Sequence, residues 1–201
     1  MRFLDVVLGG TLAHCVGVFL RQKGSLGGSP LYLRPGQTVV FSKFQGLGST
    51  VYLLPILRAF REMGAEIIFV GLPANAALVK QVGLADEVHS VYPRWWKAWT
   101  SGLKALRAIR QKKTTVFLDF EPTSFLSALF GWFSGAPQRI GFLTGKPSRE
   151  KFFTHLVSYA GETQLSALFS RFAAAFGLTV FPPARRERSH RSETPTFVFN
   201  V

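Results

Sequence analysis

Cysteine is almost missing from this chain. Cys15 is the only one among 201 residues, so no intrachain disulfide can form and a reducing, cytosolic setting is permitted. Histidine is scarce too. Four scattered histidines and one cysteine show no spacing that would assemble a metal site, so no metal is expected. Acids are the next shortage: 11 Asp and Glu stand against 24 Lys and Arg, a formal net charge of +13. That imbalance points to anionic partners, whether nucleic acid, phosphorylated sugars or an anionic membrane surface. Long uncharged runs are lacking as well. The stretch from Val6 to Leu20 is shorter than the ~20 residues of a spanning helix and holds three glycines and His14. Asp5 spoils the basic start of a signal peptide, and no small-residue cleavage site follows. What is plentiful is apolar: a hydrophobic fraction of 47% with 20 phenylalanines excludes disorder and is enough for one α/β domain with a real core.

Hydrophobic periodicity divides the chain. Residues 1–23 form an apolar helix, either lying at a membrane interface with Arg21 and Lys23 as anchors or packed on the domain's own surface. Residues 24–36, containing "GSLGGSP", read as a linker. From 37 to 178 strands and helices alternate. "QTVVFSKF" is a buried strand, and "STVYLLPILRAFREMG" a helix with Val51, Leu54, Leu57 and Phe60 on one face, ending at Gly64. Then come the strand "AEIIFVG", the helix "PANAALVKQVG", the weaker strand "DEVHSVY", a tryptophan-rich segment and the helix "SGLKALRAIRQKK". The strand "TTVFLDF", the helix "PTSFLSALFGWFSG", the strand "QRIGF" and the helix "ETQLSALFSRFAAAFGL" complete the series. Strands separated by helices predict right-handed crossovers, hence a Rossmann-like parallel sheet with helices on both faces. Residues 179–195 read as a basic linker, and 196–201 as one more strand. A lone strand cannot bury both faces. It either pairs with the first sheet or opens a second domain.

Four groups of residues are candidates for chemistry. The turn "KFQGLGSTVYLLP" sets Gly46 and Gly48 before Ser49 and Thr50, both read as helix N-caps. It lacks the third glycine of the dinucleotide fingerprint and any Walker lysine. It could instead hold an anionic group at the helix N-terminus with Lys43 nearby, or only reverse the chain. "YPRWWKAW" joins Arg94 and Lys97 to three tryptophans, and rings beside cations suit sugar faces or lipid headgroups. Alternatively Trp96 and Trp99 dock a helix on the core, or the pair splits with one ring buried and one presented. "LDFEPTSF" ends a central strand with Asp119 and Glu121, placed to bind hydroxyls or accept a proton, unless Asp119 only caps the next helix. "GFLTGKPSREKFF" brings Lys146, Arg149 and Lys151 into a basic loop suited to phosphate or merely solvated.

Taken in order, several segments resemble the family 9 glycosyltransferases, the heptosyltransferase-like enzymes of lipopolysaccharide assembly. The carriers are "LGSTVYLLP", "AEIIFVG", "ADEVHSVY", "RWWKAW", "VFLDFEPTSFLSALF" and "SGAPQRIGF", spanning about Gln37 to Leu178. The resemblance implies a GT-B fold of two Rossmann-like domains, with this chain as the N-terminal acceptor-binding half and 196–201 as the start of the donor half. It implies a metal-independent, inverting transfer from a nucleotide sugar, whose site belongs to that other domain; no cofactor is expected here. It also implies a phosphorylated glycolipid acceptor at the cytoplasmic face of the inner membrane, the chain being peripheral or held by its N-terminal helix. Lys43, Gly48, Ser49, Thr50, Arg94, Trp96, Lys97, Lys146 and Arg149 become acceptor contacts. Ser49 stands where the family has its proposed base, an aspartate. A serine cannot take that role near pH 7 without an activating partner. Asp119 or Glu121 is then expected to take the proton.

Three functions follow from these readings. The first is such a transferase, inactive as this chain alone. The second is a non-catalytic relative that binds a membrane protein complex or anionic lipid headgroups, favoured by the missing aspartate. The third, nucleic-acid binding, has only the charge behind it, because no helix-turn-helix, RNP or zinc pattern is present.

Overall fold

The computed structural model describes residues 31–159 and 164–180. The expected N-terminal helix, most of the first linker, and the basic linker and terminal strand from 181 onward lie outside the described residues. Six strands form one wholly parallel sheet. They are β1 (Thr38–Lys43), β2 (Glu66–Gly71), β3 (Glu87–Ser90), β4 (Val116–Asp119), β5 (Gln138–Leu143) and β6 (His155–Ser158), in the order β3-β2-β1-β4-β5-β6. The intervening helices are α1 (Leu47–Val51), α2 (Leu54–Glu62), α3 (Pro73–Val82), α4 (Trp95–Gln111), α5 (Phe125–Phe133), α6 (Pro147–Glu150) and α7 (Leu165–Ala174). This is the doubly wound order with its switch point between β1 and β4, the place beyond the carboxyl ends of the strands where such sheets bind their ligands.

The strand runs are apolar throughout because both faces of the sheet are covered. Val39, Phe41, Ile67, Phe69, Val116 and Leu118 face one side, against α2, α3 and α7. Val40, Ile68, Val70 and Phe117 face the other, against Ile109 of α4. The abundant phenylalanines fill the first layer. Phe120 stacks on Phe41 at 5.9 Å and tilts against Phe172 at 4.4 Å, and Phe142 meets Phe172 edge-on at 4.8 Å. Each such buried ring contributes about 1.5–3 kcal/mol, so this layer, not polar contacts, carries the domain.

Five local expectations are corrected. The helix after β1 is broken in two, because Pro55 has no N–H to continue the ladder and the chain turns at Tyr52–Leu53. Its buried stripe is therefore Leu53, Ile56, Leu57 and Phe60, while Val51 is exposed. Ser49 and Thr50 are not N-caps. Gly46 holds that position in α1, and both hydroxyls bond back to the Gly46 carbonyl from inside the first turn. The tryptophan-rich segment is the first turn of α4, not a lead-in to it. β6, "HLVS", is an edge strand that was not anticipated. Finally, residues 31–36 are not a free linker: Leu31 and Leu33 pack on the core, and Gln138 exchanges two hydrogen bonds with the Tyr32 backbone at 3.2 and 3.0 Å.

Close packing of α5 on β4 depends on Gly131, where a Cβ would stand 2.8 Å from the Phe117 ring. Gly131→Ala is expected to lose about 1–3 kcal/mol through overpacking, read as a lower urea midpoint. An unchanged midpoint would show that the helix can lift away without cost.

Candidate functional site

Two acids stand at the carboxyl end of β4, at the switch point. Asp119 ends the strand and is fully buried, and Glu121 lies two residues on with almost no exposure. Glu121 Oε1 accepts from Lys43 Nζ at 2.8 Å, from the Phe44 N–H at 2.8 Å and from the Gln45 N–H at 2.7 Å. These are the donors that a bound anion would use at this turn. Lys43, the last residue of β1, is itself buried. Asn75, near the start of α3, donates to the Lys43 and Phe44 carbonyls at 3.2 and 3.0 Å, so both polarities of the turn backbone are satisfied.

Asp119 is held from the other side. Its Oδ2 accepts from Arg149 Nη2 and from Ser127 Oγ, each at 2.8 Å, and its Oδ1 from the Glu121 N–H at 3.0 Å. Arg149 is not a loop cation open to phosphate or to solvent. It belongs to the short helix α6 and has no solvent exposure. Its Nε donates to the Ser124 carbonyl at 3.0 Å, Nη1 to the Phe142 carbonyl at 3.3 Å, and Nη2 also to the Glu121 carbonyl. The guanidinium lies over the Phe153 ring at 4.7 Å. Arg149 therefore ties together β4, β5 and the start of α5. Burial pushes the Asp119 carboxyl up to about 6, against the opposing pull of Arg149 and of the Ser127 hydroxyl.

Chemically, this buried set is a latch. Both oxygens of Asp119 are engaged, whereas the three donors to Glu121 all meet Oε1; the Lys43 and Arg149 donors are engaged inside the protein. Asp119 is not the cap of α5 either; Ser124 is, accepting from the Ser127 N–H at 3.1 Å. Above the latch the turn is open. Gly46 has φ +80°, which favours glycine, and Gly48 is exposed with nothing within 4 Å of a Cβ placed on it. Ser49 Oγ is shared between the Gly46 and Gln45 carbonyls at 2.7 and 3.1 Å. Among the described residues no histidine or carboxylate bonds to it. Thr50 is buried, its hydroxyl on the Gly46 carbonyl at 3.2 Å.

The remaining predicted residues lie apart from the latch. Lys146 is exposed at the start of α6, where Glu150 Oε1 accepts its N–H at 3.0 Å and that of Thr144 at 2.7 Å. Arg94, Trp96 and Lys97 lie at the start of α4, on the carboxyl side of β3. There the Arg94 guanidinium covers Trp96 at 5.4 Å and Lys97 Nζ lies over Tyr92 at 5.9 Å. Trp96 and Trp99 are both exposed, so neither docks the helix and the pair is not split. Sequence reasoning missed Asn75, Ser127 and Glu150. Asn75 left a signal, a polar residue inside the apolar run "ANAALV". Among the described residues no group of three or more His, Cys, Asp or Glu side chains could hold a metal ion.

Comparison with solved structures places this architecture. A glycosyl transferase family 9 from Veillonella parvula DSM 2008 superposes with a TM-score of 0.62 at 17% identity, over 76% of this chain and 43% of that one. The fold is heptosyltransferase-like. E. coli heptosyltransferase WaaC with ADP-2-deoxy-2-fluoro heptose matches at 0.61 and 18% identity, over 75% of this chain and 51% of that one. The same enzyme with ADP gives 0.61 and 18%, over 74% and 50%. The chain thus spans about half the length of these heptosyltransferase-like structures. No protein-family model and no curated protein matches the chain.

Two predictions follow from the latch. Glu121→Ala leaves Lys43 and two buried N–H groups without their acceptor, which is expected to cost about 3–5 kcal/mol. Formate, small enough to replace the lost carboxylate, should recover about 2–4 °C of melting temperature per kcal/mol restored. If formate does no more than an equal concentration of chloride, the cradle is not an anion site. Arg149→Met should also lose about 3–5 kcal/mol. Because the folded Asp119 titrates near 6 and the unfolded one near 3.8, its contribution to stability is complete below pH 3.8 and is lost as pH rises through 6. Without Arg149 the folded value rises further, so the variant's deficit in urea unfolding should be larger at pH 8 than at pH 5. An equal deficit at both would refute the pairing.

Proposed function

We propose that this chain is the acceptor-binding half of a family 9-type glycosyltransferase, which moves a sugar from a nucleotide-sugar donor to a phosphorylated glycolipid at the cytoplasmic face of the inner membrane. One observation carries the reading. A heptosyltransferase-like half-fold has its exposed glycine turn at the switch point, with basic and aromatic residues farther along the same edge of the sheet. In this reading Gly48 lets the acceptor approach the turn backbone, Ser49 contacts an acceptor hydroxyl, and Lys146 with Arg94 and Lys97 meets its phosphates. Lys43, Asp119, Glu121 and Arg149 shape the switch point instead of touching the acceptor. This half orients the acceptor, Ser49 is not its base, and the donor site belongs to the other half that the reading implies.

A second reading, a non-catalytic relative that binds a membrane complex or lipid headgroups, is favoured by the same buried acids. Asp119 is bonded through both oxygens, Glu121 is held by three donors on one oxygen, and serine stands at position 49, an arrangement that serves structure more readily than proton transfer.

The test is binding of a phosphorylated glycolipid acceptor to the purified chain by titration calorimetry. Saturable binding is expected. Gly48→Ala should weaken it about tenfold, one methyl in a contact zone, while fold stability stays level or rises by up to ~1 kcal/mol from helix propensity. A nucleotide sugar that binds while the acceptor does not would reject the assignment of this half.

A further inference from the structure

The outward face of α4 combines exposed apolar side chains with a border of cations. Ala105 and Ile109 turn the helix onto the sheet and are buried. Trp96, Trp99 and Leu103, at i, i+3 and i+7, lie on the opposite side and are 48%, 62% and 60% exposed. An indole pair and a leucine left in water on one helical face form an apolar strip that a soluble surface does not need. Cations border it. Arg94, Lys97, Lys104, Arg107 and Arg110 are all exposed, and no acid occurs between Arg94 and Lys113. The strip starts at the carboxyl edge of the sheet, so its tryptophan end shares a side with the glycine turn.

We propose that this face of α4 docks the protein on an anionic lipid bilayer, with Trp96, Trp99 and Leu103 entering the headgroup boundary and the flanking cations meeting lipid phosphates. The chemistry decides for lipid over nucleic acid. Bases can stack on indoles, but an exposed leucine in line with them has no counterpart on a nucleic acid and a natural one in acyl chains. At a bilayer, indoles settle at the headgroup level while leucine reaches the acyl chains. The cations add electrostatic attraction, each weak alone but in sum enough for reversible binding. Docked this way, the carboxyl edge of the sheet with its glycine turn stands roughly perpendicular to the bilayer surface, and a glycolipid drawn from the membrane would approach the turn from the α4 side. That last step rests on the proposed function; the docking face itself does not. It also assigns the membrane contact to a helix of the folded domain, whatever residues 1–23 contribute. Among the described residues no helix is long and apolar enough to cross a membrane, and α4 is suited to lie on one.

The experiment is co-sedimentation of the full chain with phosphatidylcholine vesicles, with and without phosphatidylglycerol, alongside two double variants. Trp99→Ser/Leu103→Ser removes the apolar strip, and Lys104→Ala/Arg107→Ala removes two cations. All four positions are exposed, and unchanged circular dichroism melts verify the fold. The wild type should bind the anionic vesicles well above the neutral ones. The charge variant should lose roughly thirtyfold in partitioning and the apolar variant at least about tenfold. Variants that bind like the wild type would move the contact elsewhere and overturn the proposal, as would a wild type indifferent to vesicles. Duplex DNA binding that falls in both variants, without a vesicle preference, would overturn it in favour of nucleic acid. Vesicle binding without acceptor binding would leave the docking face standing and remove the acceptor-half reading.

Discussion

A carboxylate sealed at the end of a parallel sheet has to find donors or give up its charge. In this protein Glu121 finds three on a single oxygen, from Lys43 and the Phe44 and Gln45 N–H groups. Most of the carboxyl edge follows from that contact. It pins the β1–α1 turn to the β4–α5 loop across the switch point, which fixes where Gly46 turns and which way Gly48 faces. Arg149 extends the same logic to β5 and α6 by holding Asp119 and the Glu121 carbonyl together. The switch point is therefore built on charges that neutralise one another, and its open groups are the glycines and hydroxyls above.

Such an arrangement separates shape from chemistry. A turn whose first amides already hold an internal carboxylate has no place there for a ligand phosphate, so an anionic ligand would have to use the exposed cations on the loops. Those cations fall into two groups, Lys146 beside α6 and the basic border of α4. Within the chain, the buried ion pairs contribute order more than net stability, since replacing such pairs with apolar residues is often neutral; the phenylalanine layer supplies the stability.

How legible this was depended on periodicity. The strands β1, β2, β4 and β5 were plain in the sequence because continuous β-branched and aromatic runs bounded by helices have few other homes in a parallel sheet. β6 was not, because "HLVS" at an edge is short and half-exposed, with weak patterning. The α1–α2 break was missed because apolar spacing runs on through Pro55, whereas the missing N–H overrides spacing. At the site, the sequence singled out these acids, cations and turn but not their pairing. Lys43 and Glu121 lie 78 positions apart and Asp119 and Arg149 lie 30 apart, and no local pattern reveals such partners. A fully buried arginine in "GKPSREKFF" runs against every local cue, because its neighbours are charged and its burial depends on Phe153 and Asp119. Both exposed tryptophans were equally hidden, since tryptophan at helical spacing normally marks a core face.

Amide hydrogen exchange at Phe44 and Gln45, followed residue by residue by NMR, tests the latch most directly. Both amides lie in a turn outside regular structure, next to exposed Gly46 and Leu47. If Glu121 holds them as described, they exchange slowly, with protection approaching that of the central strand amides of β1. Exchange at the rate of the neighbouring exposed residues would mean that the turn opens freely, and that the buried carboxylate does not organise the switch point.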